Sequence, residues 1–270
     1  MPTFDTPEPI AVRVEAAAGS VRLVATDRND TVVEVRAHDD SRAADLRAAE
    51  QTWVQFENGK LTVEAARRGF ALFRGGAVDI DIALPSGSRL KASVASADLR
   101  AEGGFADCAI SSASGNVDVD LVEGNLKVAT ASGSIAIAAV NGQGSVKTAS
   151  GDASIGQLDG DLVFKAASGD LSVARLSGGL RTKMASGSVT VATAVRGAIS
   201  ALTSSGEVGV GVVAGTAARL DLITGSGAVT NLLESADGPA EGDDTLLIHV
   251  RTGSGDVDIH RAVATHSTAG

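Results

Sequence analysis

The aspartates that follow glycine at regular intervals have the clearest capacity for chemistry. Gly151-Asp152, Gly160-Asp161 and Gly169-Asp170 each open a short alternating apolar run, and successive pairs stand nine residues apart, the half-period of a calcium-binding β-roll. A β-roll holds calcium when a Gly-Gly-x-Gly-x-Asp turn converges carboxylates and carbonyls from successive turns on one ion. The additional glycines are missing here, and the acidic place is taken by Asn116, Ser134, Ser188 and Ala228 in other copies. Asp and Asn used as turn formers is therefore the better reading, and no metal or other cofactor is expected.

Paired carboxylates are the second candidate, because polysaccharide lyases and hydrolases built on parallel β-helices place them in a cleft on one face. Asp118 and Asp120 flank Val119 on the outward side and could approach Asp152 or Asp170. No aromatic platform accompanies them, so solvated outward positions are expected, and catalytic residues are assigned to none. His38, His249, His260 and His266 have no metal-ligand spacing. The lone Cys108 falls in an inward stripe and reads as a small buried side chain. The recurrent Ser-Gly is a turn, with no nucleophile motif around it.

Lysine gives the third candidate. Lys147, Lys165 and Lys183 occupy one outward position in successive copies of a repeat, with Lys127 and Arg181 two residues away in register. Like charges about 4.8 Å apart in a parallel sheet repel one another. On an acidic chain such a ladder is a candidate surface for an anionic polymer, beside the plainer role of keeping a flat sheet from pairing with others.

The elements that must carry these residues are dictated by one phrase. Ser96, Ser114-Gly115, Ser132-Gly133, Ser150-Gly151, Ser168-Gly169 and Ser186-Gly187 return every eighteen residues. After each serine comes an alternating apolar pair, such as Val117 and Val119, or Leu171 and Val173. A second inward stripe ends two residues before the next serine: Cys108, Ile110, Ser112; then Leu126, Val128, Thr130; then Leu162, Phe164, Ala166. Period-two alternation marks a strand with one buried face, and glycine supplies the turns. The expected fold is all-β: a parallel β-solenoid, a right-handed β-helix of about 18 residues per rung. Right-handedness is favoured because the left-handed pattern needs an apolar residue at every sixth place, and the stripes do not fall so. One rung cannot offset its own ordering entropy, so neighbours must share the ladder.

Residues 1–85 read as a β-rich capping region, 86–260 as the repeats and 261–270 as a frayed tail. Strands are expected over residues 10–14, 20–25 and 31–36, the last two as a hairpin across Asp27 to Asp30, with a short helix from Ser41 to Gln51. Asn58-Gly59 is a two-residue hairpin turn. The segment from Arg67 to Gly76 is expected to cover the open end of the solenoid. After Val191 the period drifts by one residue near Arg196, three near Gly215 and ten at Glu234 to Asp244, and each insertion is expected at a turn.

Net charge is −10, with six Phe, one Trp and no Tyr. Acidity argues against nucleic acid and anionic membrane surfaces. The amino terminus has neither a basic nor an apolar run, no stretch reaches the length of a membrane span, and a single cysteine excludes an intramolecular disulfide. A cytoplasmic location is expected, with no membrane insertion.

The phrase Ser-Gly-Asp-Leu-Ser-Val at 168–173 with its copies, the opening residues 1–10, and the segments 30–36, 49–51 and 60–63 together resemble a bacterial family of β-strand-repeat proteins of unknown function, labelled "putative adhesins" and frequent in actinobacteria. The resemblance covers nearly the whole chain and implies the solenoid architecture. It supplies no catalytic residues. The expected function is a non-enzymatic binding or scaffold module with a protein partner or self-association. The competing reading is a carbohydrate-active β-helix enzyme acting on an anionic polysaccharide.

Overall fold

The structure, a computed structural model, describes residues 1–65, 76–234, 238–239 and 242–262. Among the described residues it is all-β apart from one short helix, with many parallel strands. Two compact units divide the chain, Met1–Gly151 and Asp152–Gly270.

The first unit begins with β1 (Thr3–Asp5), β2 (Ala11–Ala16), β3 (Gly19–Thr26) and β4 (Asp30–Ala37), followed by α1 (Ala43–Glu50). Then come β5 (Trp53–Glu57), β6 (Lys60–Glu64), β7 (Val78–Pro85), β8 (Ser88–Val94) and β9 (Asp98–Ser112). The unit ends with β10 (Val117–Val122), β11 (Leu126–Ser132), β12 (Ile135–Val140) and β13 (Gln143–Ser150). Alternate residues along these strands are buried, as in the Val117, Val119 pair and the Leu126, Val128 pair, so the sequence alternation is the core pattern itself. Val117 lies opposite Ile135 and Leu126 opposite Gly144, eighteen positions apart in both cases, in parallel register.

Two stacks of parallel strands result. One runs β6, β2, β8, the second half of β9, β11 and β13. The other runs β7, β3, the first half of β9, β10 and β12. β9 joins them by bending near Gly103, whose φ of +87° and carbonyl neighbour Ala25 leave no room for a side chain.

The N-terminal strands depart from the hairpin expectation. β3 and β4 do not pair with each other; β7 lies between them, parallel to β3 and antiparallel to β4. The loop Asp27 to Asn29 carries turn residues but spans two strand widths, because the buried stripe of β7 satisfies both neighbours. β5 and β6 do form a hairpin, with Asn58 at φ +50° and Gly59 at +70°. The helix starts after Arg42, one residue later than the Ser41 cap implies, because the Ser41 hydroxyl donates to Asp39 Oδ1 at 2.6 Å instead.

The second unit contains β14 (Ala153–Leu158), β15 (Asp161–Ser168), β16 (Leu171–Ser186), β17 (Val189–Ser205), β18 (Val208–Val212), β19 (Ala217–Ser226), β20 (Val229–Asn231), β21 (Thr245–Ser254) and β22 (Val257–Arg261). Leu171 lies opposite Val189, again eighteen positions away. The extra residue near Arg196 enters as a bulge at Val195 of β17, opposite the junction of Leu176 and Ser177, after which Ser177 faces Arg196.

Sequence order and spatial order part at the edge of each unit. β2 and β3 come early in the chain, yet β2 sits between β6 and β8, and β3 between β7 and β9. In the second unit β21 sits between β17 and β19, and β22 between β18 and β20. Serine still lies over serine, but Ser254 stands between Ser205 and Ser226. β21 follows β20 after the Glu234 to Asp244 insertion, part of which lies outside the described residues. The Arg67–Gly76 covering segment lies outside the described residues except for Gly76, as does the tail from residue 263.

Candidate functional site

The repeated aspartates are used by the backbone. Asp98 Oδ1 accepts the N–H of Asn116 at 2.8 Å, and Asn116 Oδ1 accepts that of Ser134 at 3.0 Å. In the second unit Asp152 Oδ1 takes the Asp170 N–H at 2.9 Å and Asp170 Oδ1 the Ser188 N–H at 2.7 Å. Each side chain therefore satisfies a turn amide one copy further on, which explains why Asn serves as well as Asp. Among the described residues no group of three or more His, Cys, Asp or Glu side chains could hold a metal ion.

The glycines beside them have a matching reason. A Cβ on Gly187, at φ +125°, would stand 2.2 Å from the Gly169 carbonyl oxygen. Ser-Gly is a place where two turns touch.

Asp118 and Asp120 both lie on the outward face of β10. Asp120 Oδ2 accepts the Gly103 N–H at 2.9 Å, and Asp118 lies 4.0 Å from Arg100. Three histidines each meet one carboxylate: His38 with Asp79, His249 with Asp221 and His260 with Asp258; His266 lies outside the described residues. Cys108 is 2 % exposed, and burial pushes its thiol up to about 12, so it has the inert character its stripe position implies.

The lysines are exposed, and the register places them unit by unit. In the second unit Lys165 lies directly opposite Lys183, with Val163 opposite Arg181. In the first, Lys127 faces Ser145 and Lys147 faces Ala129, so these two stand on a diagonal. Sequence reasoning missed a larger basic group beside Lys127. Ala11 of β2 is flanked by Lys60 and Arg89, and Ala109 of β9 by Lys91 and Lys127. Two small side chains between long ones leave a groove of about 310 Å³. The signal was in the sequence: Lys60-Leu61 and Arg89-Leu90-Lys91 alternate cation with buried residue. They precede the regular repeat, so no period linked them to Lys127.

Charges in and around the groove are unevenly matched. Arg13, opposite Lys91, is held by Glu15. Arg89 lies 4.0 Å from Asp107, whose carboxyl is held below its usual range by hydrogen bonds from the Asn125 backbone and side chain. Among the described residues no carboxylate lies within 4.0 Å of Lys60, Lys91 or Lys127. The other stack of the same unit is acidic outward, with Asp79, Asp81, Glu102, Asp118 and Asp120. Arg22 there bonds Glu102 through two nitrogens, each at 2.9 Å.

No helix among the described residues is long and apolar enough to cross a membrane. Among curated proteins no sequence matches the chain. Solved structures do. One, described as a "putative lipid binding protein" from Parabacteroides distasonis, is 13 % identical, covers 97 % of this chain and 96 % of its own, and superposes with a TM-score of 0.50. That likeness speaks for the fold alone. A "putative adhesin" from Parabacteroides merdae, also 13 % identical and covering 96 % and 94 %, reaches a TM-score of only 0.31 and carries no argument. A family model, Toastrack DUF4097, matches residues 10–260, and on that span the chain belongs to the Toastrack DUF4097 family.

Proposed function

We propose that this chain is a non-enzymatic, adhesin-like scaffold: a right-handed parallel β-solenoid with rungs of about 18 residues whose outward strand faces bind a partner. The observation that carries the reading is the role of the repeated acids. Asp98, Asp107, Asp152, Asp170 and Asp256 each accept a turn amide from a neighbouring layer, so the repeated acids on which a calcium site would draw are committed to the stack. The eighteen-position register within each unit supports the rung length.

The partner is a protein, a second copy of the chain or an anionic polymer, met by the basic positions Lys127 and Lys147 in one unit and Lys165, Arg181 and Lys183 in the other. The acidic net charge speaks against nucleic acid as the partner. A single buried cysteine fits a reducing compartment, and the cytoplasm is our reading of location, without membrane insertion.

Affinity capture from native lysate with the full chain tests the binding role. A saturable partner, or mass growth with concentration in light scattering, is the expected outcome. Incubation with acidic polysaccharides is expected to release no new reducing ends; time-dependent release, lost in Asp118→Asn or Asp120→Asn, would overturn the non-enzymatic reading.

A further inference from the structure

From the groove over Ala11 and Ala109 we infer a binding site for an extended strand of acidic polysaccharide, an inference that rests on the binding role proposed above and names its ligand. The groove is lined by Lys60, Arg89, Lys91 and Lys127 around two alanines, with Asp107, which meets Arg89 and Asn125, as the one carboxylate in its wall. Its volume of about 310 Å³ stands at the small end of ligand sites, so shape and charge must decide what it takes.

The cations form two short rows: Lys60 and Arg89 flank Ala11, and two residues further along the strands Lys91 and Lys127 flank Ala109. Lys60 and Lys127 belong to strands four steps apart, through β2, β8 and β9, which is about 19 Å at the strand spacing. Such an array cannot converge on one phosphate. It suits anions repeated along a polymer. Lys91 and Lys127, two steps apart, stand about 9.6 Å from each other at Cα, the scale of a disaccharide. Between them Ala109 and the aliphatic lysine stems offer apolar contact to the C–H face of a sugar ring. Nucleic acid is disfavoured because no aromatic side chain lines the groove for bases to stack on.

Retention of the charge is the second line of support. A chain with net charge −10 has carboxylates enough to neutralise three lysines, and in the opposite stack it pairs Arg22 and Arg100 with Glu102. Although Glu57 lies opposite Lys60, and Glu15, Glu64 and Asp107 share their stack, Lys60, Lys91 and Lys127 have no carboxylate within 4.0 Å among the described residues. The resulting field steers an anionic chain to one side of the unit.

The test measures binding of dextran sulfate, alginate and neutral dextran to the full chain by calorimetry at several salt concentrations. The charged polymers bind and neutral dextran does not. The K60Q/K91Q/K127Q variant weakens binding roughly tenfold or more and flattens its salt dependence, with an unchanged melting temperature. Ala109→Trp, which fills the groove and keeps every charge, weakens it as well. The K165Q/K183Q variant, outside the groove, loses less than the triple variant. Wild-type affinity in the triple variant, the reverse order of the two lysine variants, absence of binding to either acidic polysaccharide, or tighter binding of single-stranded DNA would each overturn the inference. If the triple variant keeps wild-type affinity for the acidic polymers and still captures its protein partner from lysate, the groove assignment falls and the scaffold reading stands.

Discussion

The outermost layers of the two units solve the same problem with different completeness. In each, a layer from near the chain's beginning or end is inserted one place inward, which gives it ladder neighbours on both sides. A terminus held in this way cannot peel off without opening the layer outside it. What covers that outside layer differs. In the first unit β5 pairs antiparallel with β6, β4 pairs antiparallel with β7, and β1 pairs antiparallel with β4. The helix α1 packs against β4 and β7, and its Asp45, fully buried, accepts the Ala77 N–H. Leu61, Val63, Ile80 and Leu84 beneath this cover have no exposed surface. Among the described residues the outer strands of the second unit are β19 and β20, where the inward Leu220 and Leu222 are only half-buried and Val229, opposite the buried Val257, is 45 % exposed. Burial at an edge layer thus comes from reversed strands laid over it; insertion secures the chain but leaves the outer apolar stripe partly wet.

A charge placed in each outer layer breaks this contrast most sharply. Ile80→Asp puts a carboxylate where no water reaches and no cation waits, and is expected to cost at least about 4 kcal/mol or to prevent folding of the first unit. Val229→Asp, on an exposed strand, should change stability by no more than about 0.5 kcal/mol. Urea unfolding followed by circular dichroism measures both. Equal losses would mean that the outer layer of the second unit is as well covered as that of the first.

Backbone crowding provides a smaller contrast. Gly19, at φ +107°, begins β3, and a Cβ there would lie 2.0 Å from the Val78 carbonyl oxygen. Gly19→Ala must therefore displace the β3–β7 pairing, at about 2 to 4 kcal/mol. Gly215, at φ +88° in the loop before β19, has nothing within 4 Å of the place a methyl group would take, so Gly215→Ala carries only the left-handed strain of about 1 kcal/mol. The same urea titrations order the two, and a larger loss at Gly215 would show that its loop is tightly packed.

The sequence disclosed what repeats and concealed what does not. Strands β10 to β17 follow from period-two alternation between Ser-Gly turns, and Cys108 was placed inward by its stripe alone. The insertion at Arg196 was legible because a lost register must enter somewhere, and it entered as a bulge. Spatial order was not legible: the stripes Ile199, Leu220 and Ile248 look alike, and nothing local says that Ile248 stands between the others. The same limit produced the hairpin expectation for β3 and β4, since turn residues report a change of direction and not which strand fills the space beside it. For the candidate surface, Lys127 was found through its repeat, whereas Lys60, Arg89 and Lys91 become its neighbours only through long-range pairing of β2, β6 and β8.

The mildest contrast is electrostatic, and it concerns His38, just after β4. Its ring is held above the usual histidine range by a hydrogen bond to Asp79 and by the charge of that carboxylate. Burial works to raise Asp79, but hydrogen bonds from Ser20 and His38 leave its carboxyl below the usual range. A raised histidine contributes stability that is full below its unfolded value, about 6.5, and fades as pH rises through the folded value. A lowered aspartate contributes above its unfolded value, about 3.9, and fades as pH falls through its folded value. The pair therefore acts fully between roughly pH 4 and 6.5. Wild type is expected to melt slightly higher than His38→Gln at pH 5.5, with the gap closing by pH 9. Because the ring is exposed, salt should shrink the gap. A gap that persists unchanged at pH 9 would mean that His38 contributes through packing between β4 and β7, and that the cover over the first unit owes nothing to this charge.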